Sequence, residues 1–174
     1  QEIKDIGVQD ISMEVVTDEV SVFVAEGKRL HEKYGDVCTV KVPCTVAGLK
    51  ACKKLTDQGI KVNVTLIFSQ VQAILAAKAG ATYVSPFVGR VDDNSFGGLC
   101  LVKDIVNVFK EHMITTQVLA ASLRGVRDVG RAFEYGADIV TMPPTVFEKM
   151  YNHILTDKGL ELFQADYEAV STSA

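Results

Sequence analysis

Six short apolar runs, each followed by a stretch of helical period, succeed one another with no Gly/Ser linker and no low-complexity segment between them. They fall at residues 11–16, 37–42, 62–68, 83–88, 118–122 and 139–142. Runs this short and this rich in Val and Ile read as strands. Strands that alternate with helices imply a parallel sheet, because parallel neighbours need a crossover between them. The helices are marked by their ends as well as their period. Thr45 caps a segment with Leu49, Cys52 and Leu55 on one face, and Ser69 opens another with Val71, Ile74 and Leu75 on one face, closed by Gly80. A third runs from about Gly98 to Met113 along Leu101, Ile105, Val108 and His112. Gly136 ends the helix at 126–135, and two more follow Pro144 and Thr145, the second from near Thr156.

An open doubly wound sheet and a closed barrel both fit this order; the chemistry of the strand ends separates them. Period-two alternation sets Ser12 and Glu14 on one face against Ile11, Met13 and Val15. It likewise groups Lys41 with Thr39, Asn63 with Thr65, Ser85 with Phe87, and Ser122 with Ala120. The opposite faces, Val40/Val42, Val62/Val64/Leu66 and Leu119/Ala121, are expected under helices. Polar groups near the C-terminal ends of five strands would scatter in an open sheet. In a barrel they converge on one mouth, where barrel active sites lie. The expected class is therefore α/β, a TIM-type (β/α)8 barrel. This chain carries about six of its βα units plus C-terminal helices, as a single domain over residues 1–174.

Bulk properties narrow the function. With 174 residues, 48% of them apolar, and a mean hydropathy of +0.18, the chain can bury a sizeable core. A net charge of −4 argues against a general nucleic-acid binder, so an anionic ligand needs a local cluster of Arg and Lys. No apolar run approaches a membrane span, and the opening Gln1-Glu2-Ile3-Lys4 is no signal peptide. Cys38, Cys44, Cys52 and Cys100 lack C-x-x-C spacing and read as buried, reduced thiols of a cytoplasmic protein. His31, His112 and His153 are scattered singly, as helix-surface residues. Metal ligation is not expected.

Lys41 stands out within Val37-Cys38-Thr39-Val40-Lys41-Val42-Pro43, an otherwise apolar strand. Desolvating an ammonium there favours the free amine that a Schiff-base nucleophile requires. A snorkelling or ion-paired lysine, with Glu14 as partner one strand away, accounts for the strand equally well.

Five segments carry a family resemblance. Lys41-Val42-Pro43, Asn63-Val64-Thr65-Leu66-Ile67-Phe68-Ser69, Tyr83-Val84-Ser85-Pro86-Phe87-Val88-Gly89-Arg90, Ala120-Ala121-Ser122-Leu123-Arg124 and Thr141-Met142-Pro143 resemble the signatures of the small bacterial-type transaldolases, which are grouped with the fructose-6-phosphate aldolases. The similarity runs from about Ile3 to the last helix in the family's order, without gaps from Lys41 to Arg90. It implies that Lys41 is the Schiff-base lysine and that Glu14 and Thr65 hold a catalytic water. Asn63 and Ser85 would bind substrate hydroxyls, although buried Asn and Ser can also simply satisfy backbone. Arg90, Ser122 and Arg124 would hold the phosphate, where the planar guanidinium fork suits bidentate contacts. Arg90 could instead pair with Asp92 or Asp93, and Arg124 could be a solvated loop charge. Lys103, Arg127 and Arg131 read as surface charges.

The resemblance implies transfer of a dihydroxyacetone unit from sedoheptulose 7-phosphate to glyceraldehyde 3-phosphate in the non-oxidative pentose phosphate pathway, with no metal or organic cofactor. Two positions favour transfer over release of free dihydroxyacetone: family aldolases resemble one another in carrying Gln and Tyr where this chain has Glu14 and Phe87. Sugar phosphates are the implied partners, with neither nucleic acid nor membrane, in homo-oligomeric rings of five, stacked in pairs. One departure stands against the pattern. The family's first two strands, with an aspartate acid/base and a Thr-Asn pair, have no counterpart, so the resemblance implies that the barrel domain at 1–174 is N-terminally incomplete. Gln1 is expected in the helix before the third strand, and the parent protein is expected to be longer. An inactive sugar-phosphate-binding fragment is the reading of another class.

Overall fold

A computed structural model describes residues 5–171, so the expectation for Gln1 lies outside the described residues. Among the described residues six strands form one sheet: β1 (Ile11–Glu14), β2 (Cys38–Pro43), β3 (Val62–Ile67), β4 (Tyr83–Pro86), β5 (Gln117–Ala120) and β6 (Ile139–Val140). All pairings are parallel, and the spatial order follows the sequence from β1 to β6. A doubly wound sheet reverses its order at a switch point, which is where it binds ligands. This sheet has no reversal among the described residues. Its strands wind in one direction into a curled half-barrel, and β1 and β6 are not paired with each other. This accords with the expected six βα units of a TIM-type fold; a closed barrel is not formed by the described residues.

The helices are α1 (Val20–Tyr34), α2 (Val46–Thr56), α3 (Gln70–Lys78), α4 (Val88–Asp92), α5 (Gly98–Glu111), α6 (Val126–Glu134), α7 (Pro144–Lys149) and α8 (Ile154–Ser171). The expected caps of α2 and α3 form: Thr45 Oγ1 accepts from Gly48 N–H at 3.0 Å, and Ser69 Oγ accepts from Gln72 N–H at 3.3 Å. Gly80 takes the left-handed conformation after α3 at φ +89°, and Gly136 does so after α6 at φ +87°. The core lies between strands and helices: Val40, Val42, Val62, Val64 and Val84 are fully buried, facing Phe23 of α1, Cys52 and Leu55 of α2 and Ile105 of α5.

Several faces differ from the sequence expectation. On α3 the buried residues are Ala73 and Ala76, while Val71 and Leu75 are 65% and 54% exposed. Small residues let this helix lie close to the sheet, a choice that a hydrophobicity stripe does not reveal. On α5 the buried stripe is Val102, Ile105, Val106 and Phe109; Leu101 and Val108 flank it and His112 is exposed. The short α4 carries no sequence signal, α7 begins at Pro144 itself, and of the four cysteines expected to be buried Cys44 is half-buried and Cys100 exposed. His31 is half-buried, with Nδ1 sealed from solvent and unpartnered among the described residues.

The strand faces change phase at two left-handed residues. Leu66 (φ +59°) sits in a register shift between β3 and β4, so Ile67 fills the core position expected for Leu66. On β5 the expected faces are reversed: Val118 and Ala120 are buried toward the helices, while Leu119 and Ala121 line the concave side. Ser122 nonetheless reaches the concave side, because its backbone turns left-handed (φ +60°) directly after Ala121.

Candidate active site

The concave side of the half-barrel holds a cavity of about 450 Å³. Ser12 of β1, Lys41 of β2, Asn63 and Thr65 of β3, and Ser85 of β4 form its polar wall. Phe87, Leu119, Ala121, Ser122 and Thr141 complete it, so each of the six strands, or the residue directly after it, contributes to the wall. Parallel register explains the convergence: Glu14 is the ladder partner of Lys41, Lys41 of Asn63, and Pro43 of Thr65.

Lys41 Nζ donates to Glu14 Oε2 at 3.0 Å. The lysine side chain is 25% exposed and the glutamate 45%. Lys41 therefore keeps both some solvent and a counter-charge, which matches the ion-paired alternative with Glu14 that the apolar strand left open and not the isolated, desolvated amine. Asn63 Nδ2 donates to Ser12 Oγ at 3.2 Å, and Asn63 Oδ1 accepts from Ser85 Oγ at 2.7 Å. These side chains satisfy one another across β1, β3 and β4 rather than satisfying backbone. Thr65 Oγ1 is buried and unpartnered among the described residues. A buried hydroxyl without a partner is costly in a packed protein, and this one belongs to a residue of the cavity wall.

Beneath this layer Asp10 gathers three donors on Oδ2: Lys61 Nζ at 2.6 Å, Thr39 Oγ1 at 3.0 Å and the Tyr83 hydroxyl at 3.1 Å. Burial, and then the carboxylate of Asp10, push the Tyr83 phenol above its ordinary value. Ser12, Thr141 and this Asp10 cluster were assigned no role from the sequence. Ser12 was legible as facing Glu14's way, but Asp10 precedes the first apolar run and carried no signal.

The three residues expected at a phosphate are divided. Ser122 and Thr141 line both the central cavity and an adjoining one of about 370 Å³ that includes Arg124. Arg124 grips Asp93 with both terminal nitrogens, one on each carboxylate oxygen. This hydrogen-bonded guanidinium holds the Asp93 carboxyl below its usual range and raises Arg124 in turn. Arg90 makes no ion pair among the described residues. Its guanidinium lies 5.0 Å from the centroid of the Phe87 ring, whose other neighbour is Phe68, edge-on at 6.0 Å and 64°. The carboxylate considered for Arg90 thus belongs to Arg124. Val88 and Gly89 N–H donate to the carbonyls of Ala121 and Ser122 at 2.9 and 3.0 Å, joining the two arginine-bearing loops.

A half-barrel whose strands converge polar side chains on a central lysine defines a TIM-type α/β enzyme scaffold. The sequence matches the family Transaldolase/Fructose-6-phosphate aldolase over residues 1–174, and the chain belongs to that family. It is 50% identical over 169 residues to a "Probable transaldolase" of Ruegeria sp. (strain TM1040), covering 97% of this chain and 77% of that one. A "Probable transaldolase" of Nitrosopumilus maritimus (strain SCM1) is 52% identical over 171 residues, covering 98% and 77%. Among solved structures, GMP reductase C318A from Trypanosoma brucei superposes with a TM-score of 0.58 at 20% identity, over 78% of this chain and 33% of that one. That likeness concerns the fold alone.

Proposed function

We propose that Lys41 forms a Schiff base with a ketose phosphate and that the protein transfers dihydroxyacetone between sugar phosphates as a transaldolase. The observation that carries this reading is Lys41 on the cavity wall, paired with Glu14 at 3.0 Å and facing Asn63 as its ladder partner. In this reading Glu14 takes a proton from Lys41, directly or through one water, which frees the amine for attack. The amine adds to the ketose carbonyl and water leaves, giving an iminium. The iminium accepts the electron pair when the bond between the third and fourth carbons breaks and the fourth-carbon hydroxyl gives up its proton. An aldose phosphate departs, a three-carbon enamine remains on Lys41, and an acceptor aldehyde phosphate captures it. Glu14 and Thr65 would hold the water that moves these protons, and the unpartnered Thr65 hydroxyl supports that role.

Asn63 and Ser85 would meet the substrate hydroxyls, and Arg90, Ser122 and Arg124 the phosphate. Release of free dihydroxyacetone is the neighbouring reaction. Transfer is favoured because Phe87 offers the enamine no proton. The remaining expectations are proposals of the same standing: sugar-phosphate ligands, a cytoplasmic setting, and rings of five or ten copies. The exposed Leu160, Leu162, Phe163 and Tyr167 of α8 suit such association.

Borohydride added with fructose 6-phosphate is expected to trap one three-carbon adduct, mapping to Lys41. An adduct on Lys50, Lys53 or Lys61 would reject the assignment, and no adduct would favour an inactive binder. Lys41→Arg is expected to abolish trapping, because guanidinium stays protonated and is no nucleophile.

A further inference from the structure

We propose that Asp93 is a specificity-determining residue that competes with the substrate's phosphate for the fork of Arg124. This rests on the phosphate site proposed above. Both terminal nitrogens of Arg124 are engaged by the two carboxylate oxygens of Asp93, the same planar, bidentate geometry that a phosphate would take up. A phosphate cannot use that fork without displacing the carboxylate.

The surroundings make the competition one-sided. Asp92 is committed elsewhere: its Oδ1 accepts from Gly98 N–H at 2.8 Å, fixing the start of α5. Arg90 is spread over the Phe87 ring. The four charged side chains, Arg90, Arg124, Asp92 and Asp93, sum to zero, so an arriving dianion meets a neutral cluster rather than a positive one. Only the Asp93 carboxylate can leave cheaply. It and Arg124 are each about half exposed (48% and 57%), and exposed ion pairs hold weakly.

Arg124 is also held near its place by something other than Asp93. A Cβ on Gly89 would come within 2.7 Å of Arg124 Nε and 3.1 Å of its Cδ, so the arginine stem lies across the bare backbone of α4. Losing the carboxylate therefore frees the fork without casting the side chain adrift. Asp93 acts as a built-in rival that sets how strongly phosphorylated ligands are preferred.

Titration with inorganic phosphate, read by calorimetry or by chemical shifts, tests this on wild type, Asp93→Asn, Asp93→Ala and Arg124→Ala, each checked for a native melting curve. Both Asp93 variants are expected to bind phosphate roughly three- to tenfold more tightly, the scale of one exposed ion pair plus one removed repulsion. The gain is expected to shrink as salt is raised. Unchanged or weaker binding in both Asp93 variants, with binding lost in Arg124→Ala, would overturn the competition and leave the phosphate site standing. Unchanged binding in Arg124→Ala would overturn the phosphate site itself, and the role of Asp93 with it.

Discussion

At the scale of single residues, two substitutions separate chemistry from packing. Thr65 carries a buried hydroxyl with no partner among the described residues, on the wall of the central cavity. Val has nearly the same shape and no such group. Thr65→Val is expected to raise stability by about 1 kcal/mol, the cost of an unmet buried hydroxyl, while lowering turnover by roughly 10- to 100-fold through loss of positioned proton transfer. A melting curve beside a coupled transfer assay checks both; falling stability with intact turnover would make Thr65 a packing residue. Phe87 lies between Phe68 and Arg90, with its backbone bridged to Ala121. Phe87→Tyr adds one hydroxyl at the cavity wall, where it can protonate the enamine or orient water onto the iminium. Cleavage of fructose 6-phosphate is expected to rise and transfer to decline. A folded variant with an unchanged ratio would show that this position does not set the outcome.

At the scale of elements, what the sequence disclosed was the alternation, the strand ends and the caps. What it concealed were changes of phase. All six strands fall within the apolar runs or a residue or so of them, and Lys41, Asn63, Thr65, Ser85 and Phe87 share one cavity because period-two counting holds through β2, through β3 as far as Thr65, and again from Tyr83 to Phe87. Counting fails at β5, where the expectation was anchored on Ser122, a left-handed residue that belongs to the turn and not to the strand. No composition signal marks a non-glycine left-handed residue. Asp10, and the choice of Arg124 over Arg90 as partner of Asp93, are hidden for another reason: these are contacts across 51 and 31 residues of chain, with Lys61 and Arg124. The turn after β2 shows how tightly a strand end is tied to its helix. A Cβ on Gly48 would lie 2.0 Å from the Pro43 carbonyl oxygen, two residues beyond Lys41. Gly48→Ala is expected to cost about 2–4 kcal/mol, as backbone displacement in a packed core does, and to reduce trapping at Lys41. Gly130, exposed on α6 with nothing within 4 Å of its would-be Cβ, is the control. There Ala is expected to stabilise by about 0.5–1 kcal/mol through helix propensity alone. Denaturant curves for the pair test whether space, and not glycine's flexibility, is what Gly48 supplies.

At the scale of the whole molecule, the seal between sheet and helices can be read through one thiol. Cys52 is fully buried on α2, its Sγ 3.6 Å from the Ala79 carbonyl, and burial pushes its pKa from 9.0 up to about 12. A thiol whose folded value is raised holds its proton in the native state at a pH where the unfolded chain has released it. Its contribution to stability is therefore intact below the ordinary thiol value near 9 and is lost progressively as pH rises toward 12. Each pH unit in that window is worth about 1.4 kcal/mol, so about 2–3 kcal/mol should be gone by roughly pH 11 from Cys52 alone. Cys38 and Cys44, raised in the same direction by burial, add to the slope. Cys52→Ala is expected to be less stable than wild type at neutral pH, because it leaves a cavity. Between about pH 9 and 11 its stability should decline less steeply than that of wild type, so that the two curves converge. Urea unfolding at half-unit pH intervals measures both slopes. Curves that stay parallel across the window would mean that Cys52 ionises in the native state, and hence that water reaches the layer between α2 and the sheet.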